Sequence, residues 1–241
     1  MEVNGYTIKP GADLRGADLT YTDLAMANLT DANLSGADLR GANLWCTYLN
    51  EANLAGADLG STEMTGVKLP GANLSGANLA GANLSRAHLD FANLTDAFLI
   101  FANLTDANLT NANLNSARLE HAVMTGADLT RADLTYADLT KANLTDTNLT
   151  RAKMERAKLE HAVMTAAKLS GAKLVGANMR SANLFCASLP RANLSGADLG
   201  SANLAYANLS RANLSGANLS GANLYEANLE GATMPDGSIH N

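Results

Sequence analysis

The side chains of this 241-residue chain that could do chemistry are few, and their spacing limits what they could do. Four histidines are present: His88, His121, His161 and His240. His121 and His161 sit in two copies of one string, Leu-Glu-His-Ala-Val-Met-Thr, each directly after a glutamate, Glu120 or Glu160. A His–Glu pair can ligate a metal or relay a proton only if further ligands or a substrate pocket converge on it. Cys46 and Cys186 each follow an aromatic residue, Trp45 or Phe185, and would form a redox pair only if the fold set their Cα atoms within about 7 Å. Serine and threonine are plentiful, but a hydroxyl nucleophile needs a base beside it.

The backbone that must position these groups has an unusual rule. From Leu14 to Met234 every fifth residue is Leu or Met, 39 Leu and 6 Met in 45 consecutive registers, and no leucine lies outside them. Two residues before each centre stands Ala in 40 cases, the exceptions being Thr22, Thr47, Thr62, Val67 and Thr147. Asn or Asp directly precedes 31 of the centres, and 15 of the 20 glycines fall two residues after one. On an α-helix a five-residue step rotates each leucine by about 140° net, so the apolar residues would wind around every face. On a flat strand an odd step alternates faces. The chain must therefore turn once per five residues, at corners where glycine makes positive φ inexpensive. The period thus predicts a solenoid with sides one pentapeptide long, and leaves the number of sides open.

Units such as Ala-Asn-Leu-Ser-Gly and Ala-Asp-Leu-Thr-Arg resemble the A(D/N)LXX signature of the pentapeptide-repeat family over residues 12–234. That resemblance implies an all-β fold, a right-handed quadrilateral β-helix with four pentapeptides per coil and so about 11 coils. At a spacing of roughly 4.8 Å per coil the rod is about 50 Å long. Residues 1–11 are expected to form an N-terminal cap, in which Val3, Tyr6 and Ile8 cover the first coil. Residues 12–234 form the uninterrupted repeat, and 235–241 a short tail with Ile239 as its one large apolar residue. The thinner C-terminal cap predicts an end-to-end homodimer through that coil.

In that frame, residues twenty apart share a face. His121 and His161 lie two coils apart, roughly 10 Å, too far to share one metal. The two cysteines are seven coils apart and cannot be bridged. No catalytic, cofactor or metal site is expected, and the protein reads as a non-enzymatic scaffold for an unidentified protein partner. The best candidate for partner binding is Phe98, Ile100 and Phe101, large apolar groups on a surface otherwise of Asn, Ser and Thr. Phe185, Tyr206 and Tyr225 form a C-terminal aromatic stripe, a candidate with Ile239 for self-association.

Charge supplies the alternative. The net charge is −6, and residues 1–120 carry 6 basic and 13 acidic residues, against 11 and 10 in residues 121–241. Asp18, Asp38 and Asp58 form an acidic ladder on the second face. Some members of the resembled family mimic DNA toward gyrase or another topoisomerase, and the ladder is the candidate mimic here; the other reading is Asp replacing Asn in a solvated row. The balance offers no direct affinity for nucleic acid. No stretch of about 18 apolar residues and no signal-like N-terminus occur, so no membrane association is expected, and the location is expected to be cytoplasmic.

Overall fold

A computed structural model describes residues 1–241. The chain opens with a hairpin, β1 (Glu2–Val3) and β2 (Tyr6–Thr7), paired antiparallel. Its turn is Asn4-Gly5, both residues at positive φ (50° and 80°), the two-residue turn whose twist suits a hairpin. The hairpin lays Val3 and Tyr6 against the end of the core, and Ile8 behind it is buried.

The rod follows. From Asp13 to Asn213 every fifth residue forms a parallel bridge with the residue twenty positions on, so one coil is twenty residues and four sides. On each side the amide of the central Leu donates to the next coil, as Leu14 does to Asn33 O at 2.7 Å, and Asn33 donates back to Ala12 O at 2.9 Å. Each corner is closed by a turn bond, as from the Ala17 amide to Leu14 O at 3.1 Å. The third residue of each turn has positive φ and the second does not, which is the type II pattern. Pro10, Pro70 and Pro190 stand at the second position, where their fixed φ suits that turn, and Pro235 stands second in the turn Met234–Gly237, whose third residue lacks the positive φ.

Glycine proves less necessary than the sequence suggested. All 45 corners from 11 to 231 have positive φ, and 29 of them carry another residue, including Phe91, Phe101 and Tyr136. None is Thr, Val or Ile, whose branched Cβ suffers most there, although threonine is common one residue earlier. The coil-to-coil amide bonds fix the backbone on both sides of each corner and hold these residues in place.

The Leu/Met centres and preceding Ala point inward and form one core of 79 buried residues with Ile8. Three of the four threonines in the Ala row are buried, and all four are satisfied by backbone carbonyls: Thr47 donates to Leu24 O at 2.7 Å and Thr147 to Met124 O at 2.8 Å. Asn and Asp before the centres are used twice. Their Oδ1 accepts the amide two residues on, as Asn28 does from Thr30 at 3.1 Å, and Asn Nδ2 donates to the previous coil, as Asn73 does to Asn53 at 3.1 Å.

The two ends differ. Leu14, Leu19, Leu24 and Leu29 of the first coil are fully buried. At the other end Leu219, Leu224, Leu229 and Met234 are only half-buried. The tail folds back over one side, with Ile239 bridging Thr233 antiparallel and Met234 donating to Ser238 O at 2.7 Å. The amides of Leu219, Leu224 and Leu229, on the other three sides, have no partner.

Candidate interaction surfaces

A four-sided rod with a filled interior has no cleft, so recognition rests on outward side chains. Two shallow polar hollows of about 360 and 370 Å³ mark the surface, one lined by Arg191, Arg211 and Glu230, the other by Tyr21, Arg40 and Asp58. Neither has the apolar lining of a small-molecule site.

The mid-rod patch is a composite of adjacent coils. Leu99 is buried, which turns Phe98 and Phe101 outward with 40% and 64% of their surface exposed. Ile100 is half-buried, because the second residue of a turn tucks against its neighbouring coils. The next coil supplies polar partners. The Arg118 guanidinium lies 5.7 Å from the Phe98 ring centre, within cation–π range, and the His121 imidazole stacks on Phe101 with centroids 4.9 Å apart. Arg118 also donates to Glu120 Oε1 at 2.8 Å, an ion pair that raises the guanidinium pKa through the hydrogen bond, while Glu120 Oε2 is buried without a partner. The patch therefore combines two aromatic faces with one unsatisfied acceptor. Arg118 and His121 are absent from the sequence-based site; reading twenty residues on from Phe98 and Phe101 would have found them.

The C-terminal aromatics touch in sequence order. Phe185 meets Tyr206 edge to face at 5.6 Å, and Tyr206 meets Tyr225 likewise at 5.6 Å. They run toward the open last coil, and Ile239 is exposed on the tail beyond it. Trp45, on the same face, lies too many coils away to join them.

The acidic ladder is not bare. Arg40 donates to both carboxylate oxygens of Asp38, its Nη2 2.6 Å from Oδ2, and its Nε lies 3.7 Å from Asp58 Oδ2. The Arg40 hydrogen bond holds the Asp38 carboxyl below the ordinary aspartate range. Asp18 accepts from the Thr20 amide and hydroxyl at 3.1 and 2.8 Å. One arginine thus covers two of the three carboxylates.

Of the remaining chemical groups, His121 is engaged by Phe101, and Cys46 and Cys186 are free thiols, the latter exposed. No helix is long and apolar enough to cross a membrane.

The profile of the pentapeptide repeats matches the chain eight times, from residues 10–36 through 197–234, leaving only the cap and tail outside. The chain belongs to the pentapeptide-repeat family. Its solved pentapeptide-repeat neighbours include HetL of the cyanobacterium Nostoc sp. strain PCC 7120, a protein involved in heterocyst differentiation regulation, 37% identical over 91% of this chain and 92% of HetL with a TM-score of 0.62. Rfr23 of Cyanothece 51142 is 36% identical over 43% of this chain and 64% of its own, with a TM-score of 0.30. QnrB1, a plasmid-mediated fluoroquinolone resistance protein, is 20% identical over 86% of this chain and 88% of its own, with a TM-score of 0.41. No curated protein sequence matches the chain. As a pentapeptide-repeat protein it has the right-handed quadrilateral β-helix of the family.

Proposed function

We propose that this pentapeptide-repeat protein is a non-enzymatic rigid scaffold that binds a protein partner through the mid-rod patch. The observation that carries the reading is the cluster at Phe98 and Phe101, where two exposed aromatic rings are buttressed by Arg118 and His121 of the next coil. Aromatic residues and arginine are the types that dominate binding energy at protein interfaces. The likeness to HetL, a protein involved in regulating differentiation, supports a regulatory rather than catalytic role. The half-open last coil, flanked by Phe185, Tyr206 and Tyr225 and by Ile239 on the tail, is proposed as a further surface for end-to-end self-association.

The test is affinity capture from the native cell with the wild-type chain and with Phe98→Asp/Phe101→Asp. Loss of a captured protein in the double variant, with circular dichroism unchanged, supports the patch. An identical captured set rejects it.

Mimicry of DNA toward gyrase remains the second reading, favoured by the seven-charge acidic excess of residues 1–120 and disfavoured by Arg40 over the ladder. A supercoiling assay decides it: no effect of micromolar protein on gyrase removes it.

A further inference from the structure

The first face of the rod, with centres Leu14, Leu34 and on to Leu214, is bounded by two corners whose residues follow an ordered pattern. Along the corner that precedes the face, acids come early and arginines late: Asp31 and Glu51, then Arg131, Arg151, Arg191 and Arg211. All six are exposed, and none takes part in an ion pair within the chain.

This order is self-complementary. If a second copy is laid antiparallel against the face, so that corner residue n meets residue 242 − n, Asp31 faces Arg211 and Glu51 faces Arg191, each match occurring twice by symmetry. Phe91, 66% exposed, then faces Arg151, a cation over an aromatic ring, and Asn111 faces Arg131. The corner on the other side of the face obeys the same reversal with a sum of 252: Asp96 meets Arg156 and Ser116 meets Tyr136. Every acid on the two corners between residues 11 and 231 meets an arginine, and ten of the eleven glycines there meet a glycine. At Gly36 and Gly56, which face Gly216 and Gly196, nothing lies within 4 Å of where a Cβ would stand, so the two backbones can approach there.

Between the corners no like charges oppose one another. Lys153 and Lys173 face Asn93 and Asn73, Asp133 faces Asn113, and Glu155 faces Thr95. Shifting the second copy by one coil either way keeps one of the three acid–arginine matches. The register that satisfies all three is also the one in which the rods overlap along their whole length.

We propose that the protein forms an antiparallel, side-by-side homodimer through this face, an isologous contact fixed in register by Asp31–Arg211, Glu51–Arg191 and Asp96–Arg156 pairs. A face about 50 Å long and about 10 Å wide buries about 1,000 Å² in total, at the small end of specific interfaces. The ion pairs lie at its rim and are screened by salt. The dimer is accordingly weak and salt-sensitive. It also places the two copies' Phe98/Phe101 pairs on one side of the dimer, about three coils apart along the axis, so a partner meets two docking points. The dimer uses different residues from the patch and from the end-to-end contact, so each stands or falls alone.

The test is a charge exchange read by sedimentation and small-angle scattering at low salt. With the end-to-end contact blocked by Tyr225→Asp/Ile239→Asp, the chain is expected to dimerise with concentration while keeping the length of one rod, and to dissociate in high salt. Asp31→Arg/Glu51→Arg and Arg191→Glu/Arg211→Glu each remove the attraction and weaken self-association at least about tenfold. Mixing those two variants restores opposite charges at all four sites, and a heterodimer of near wild-type affinity is expected. Gly56→Tyr is a steric control, since tyrosine already occupies an equivalent corner at Tyr136; it folds and does not pair. An end-blocked chain that stays monomeric to about 100 μM, a dimer of that chain twice the length of one rod, or a mixture that fails to associate would each overturn the proposal.

Discussion

The imidazole of His121 lies nearly parallel to the ring of Phe101, with planes 23° apart and centroids at 4.9 Å. Twenty residues separate them, so the contact belongs to the coil repeat rather than to any local turn. Both sit at corners of positive φ, 60° and 59°, which aim successive side chains along one column. Corner residues can therefore support one another up the rod.

Such a stack has a measurable worth. A double-mutant cycle on Phe101→Ala and His121→Ala, followed by thermal or denaturant unfolding, is expected to give a coupling of about 0.5–1 kcal/mol. The pair is exposed, so a value near zero would show that the rings are neighbours without mutual stabilisation.

Core substitutions should reveal the asymmetry of the ends. Leu114→Ala, at a fully buried centre in mid-rod, is expected to destabilise by about 2–5 kcal/mol. Leu224→Ala, half-buried in the last coil, is expected to cost about 1 kcal/mol, because less surface leaves water there. Equal losses would mean that the last coil is covered in solution.

Corner chemistry offers a stability handle. Ser116, with φ 57°, is expected to tolerate glycine with a gain of up to about 1 kcal/mol, while Ser116→Thr loses about 1 kcal/mol by forcing a branched Cβ into the left-handed region. Melting temperatures of the two variants, moving in opposite directions from wild type, would check this.

Acid should loosen the C-terminal half of the rod. Burial pushes the Asp133 and Asp138 carboxyls up, but hydrogen bonds from Thr135 and Thr140 and from Lys153 and Lys158 outweigh it, and both lie below the ordinary aspartate value of 3.8. A depressed folded-state pKa contributes stability above the unfolded value, and that contribution is lost as pH falls through the folded one. Melting temperature is expected to decline below about pH 4, and Asp133→Asn/Asp138→Asn to flatten that decline. An unchanged slope in the double variant would assign acid sensitivity to other carboxylates.

The core is legible in the sequence because it depends on one recurring residue: a leucine that returns every five positions must face inward wherever the chain turns. The surface was less so. The acidic row at Asp18, Asp38 and Asp58 looked bare because the sequence does not show that Arg40 curls back over Asp38 and toward Asp58. Phe98 and Phe101 were visible as departures from the repeat, but Arg118 and His121 became part of their patch only once the coil length put them alongside. Ile100 was expected outside and is half-buried, since the second turn position lies closer to the wall than the third. Corners such as Phe91 and Tyr136 show that the amide ladder, not glycine, decides where the chain bends.

The bridge from every fifth residue to the one twenty positions on gives the molecule two separate reading frames. Its interior recognises only multiples of five, its exterior only multiples of twenty. Gaining or losing one pentapeptide would leave the leucine core continuous yet rotate everything beyond that point by a quarter turn, severing each outward column while the rod itself persisted. In this architecture foldability and surface meaning are inherited separately, and lineages can lengthen such rods freely but can keep a surface in alignment only by adding whole coils.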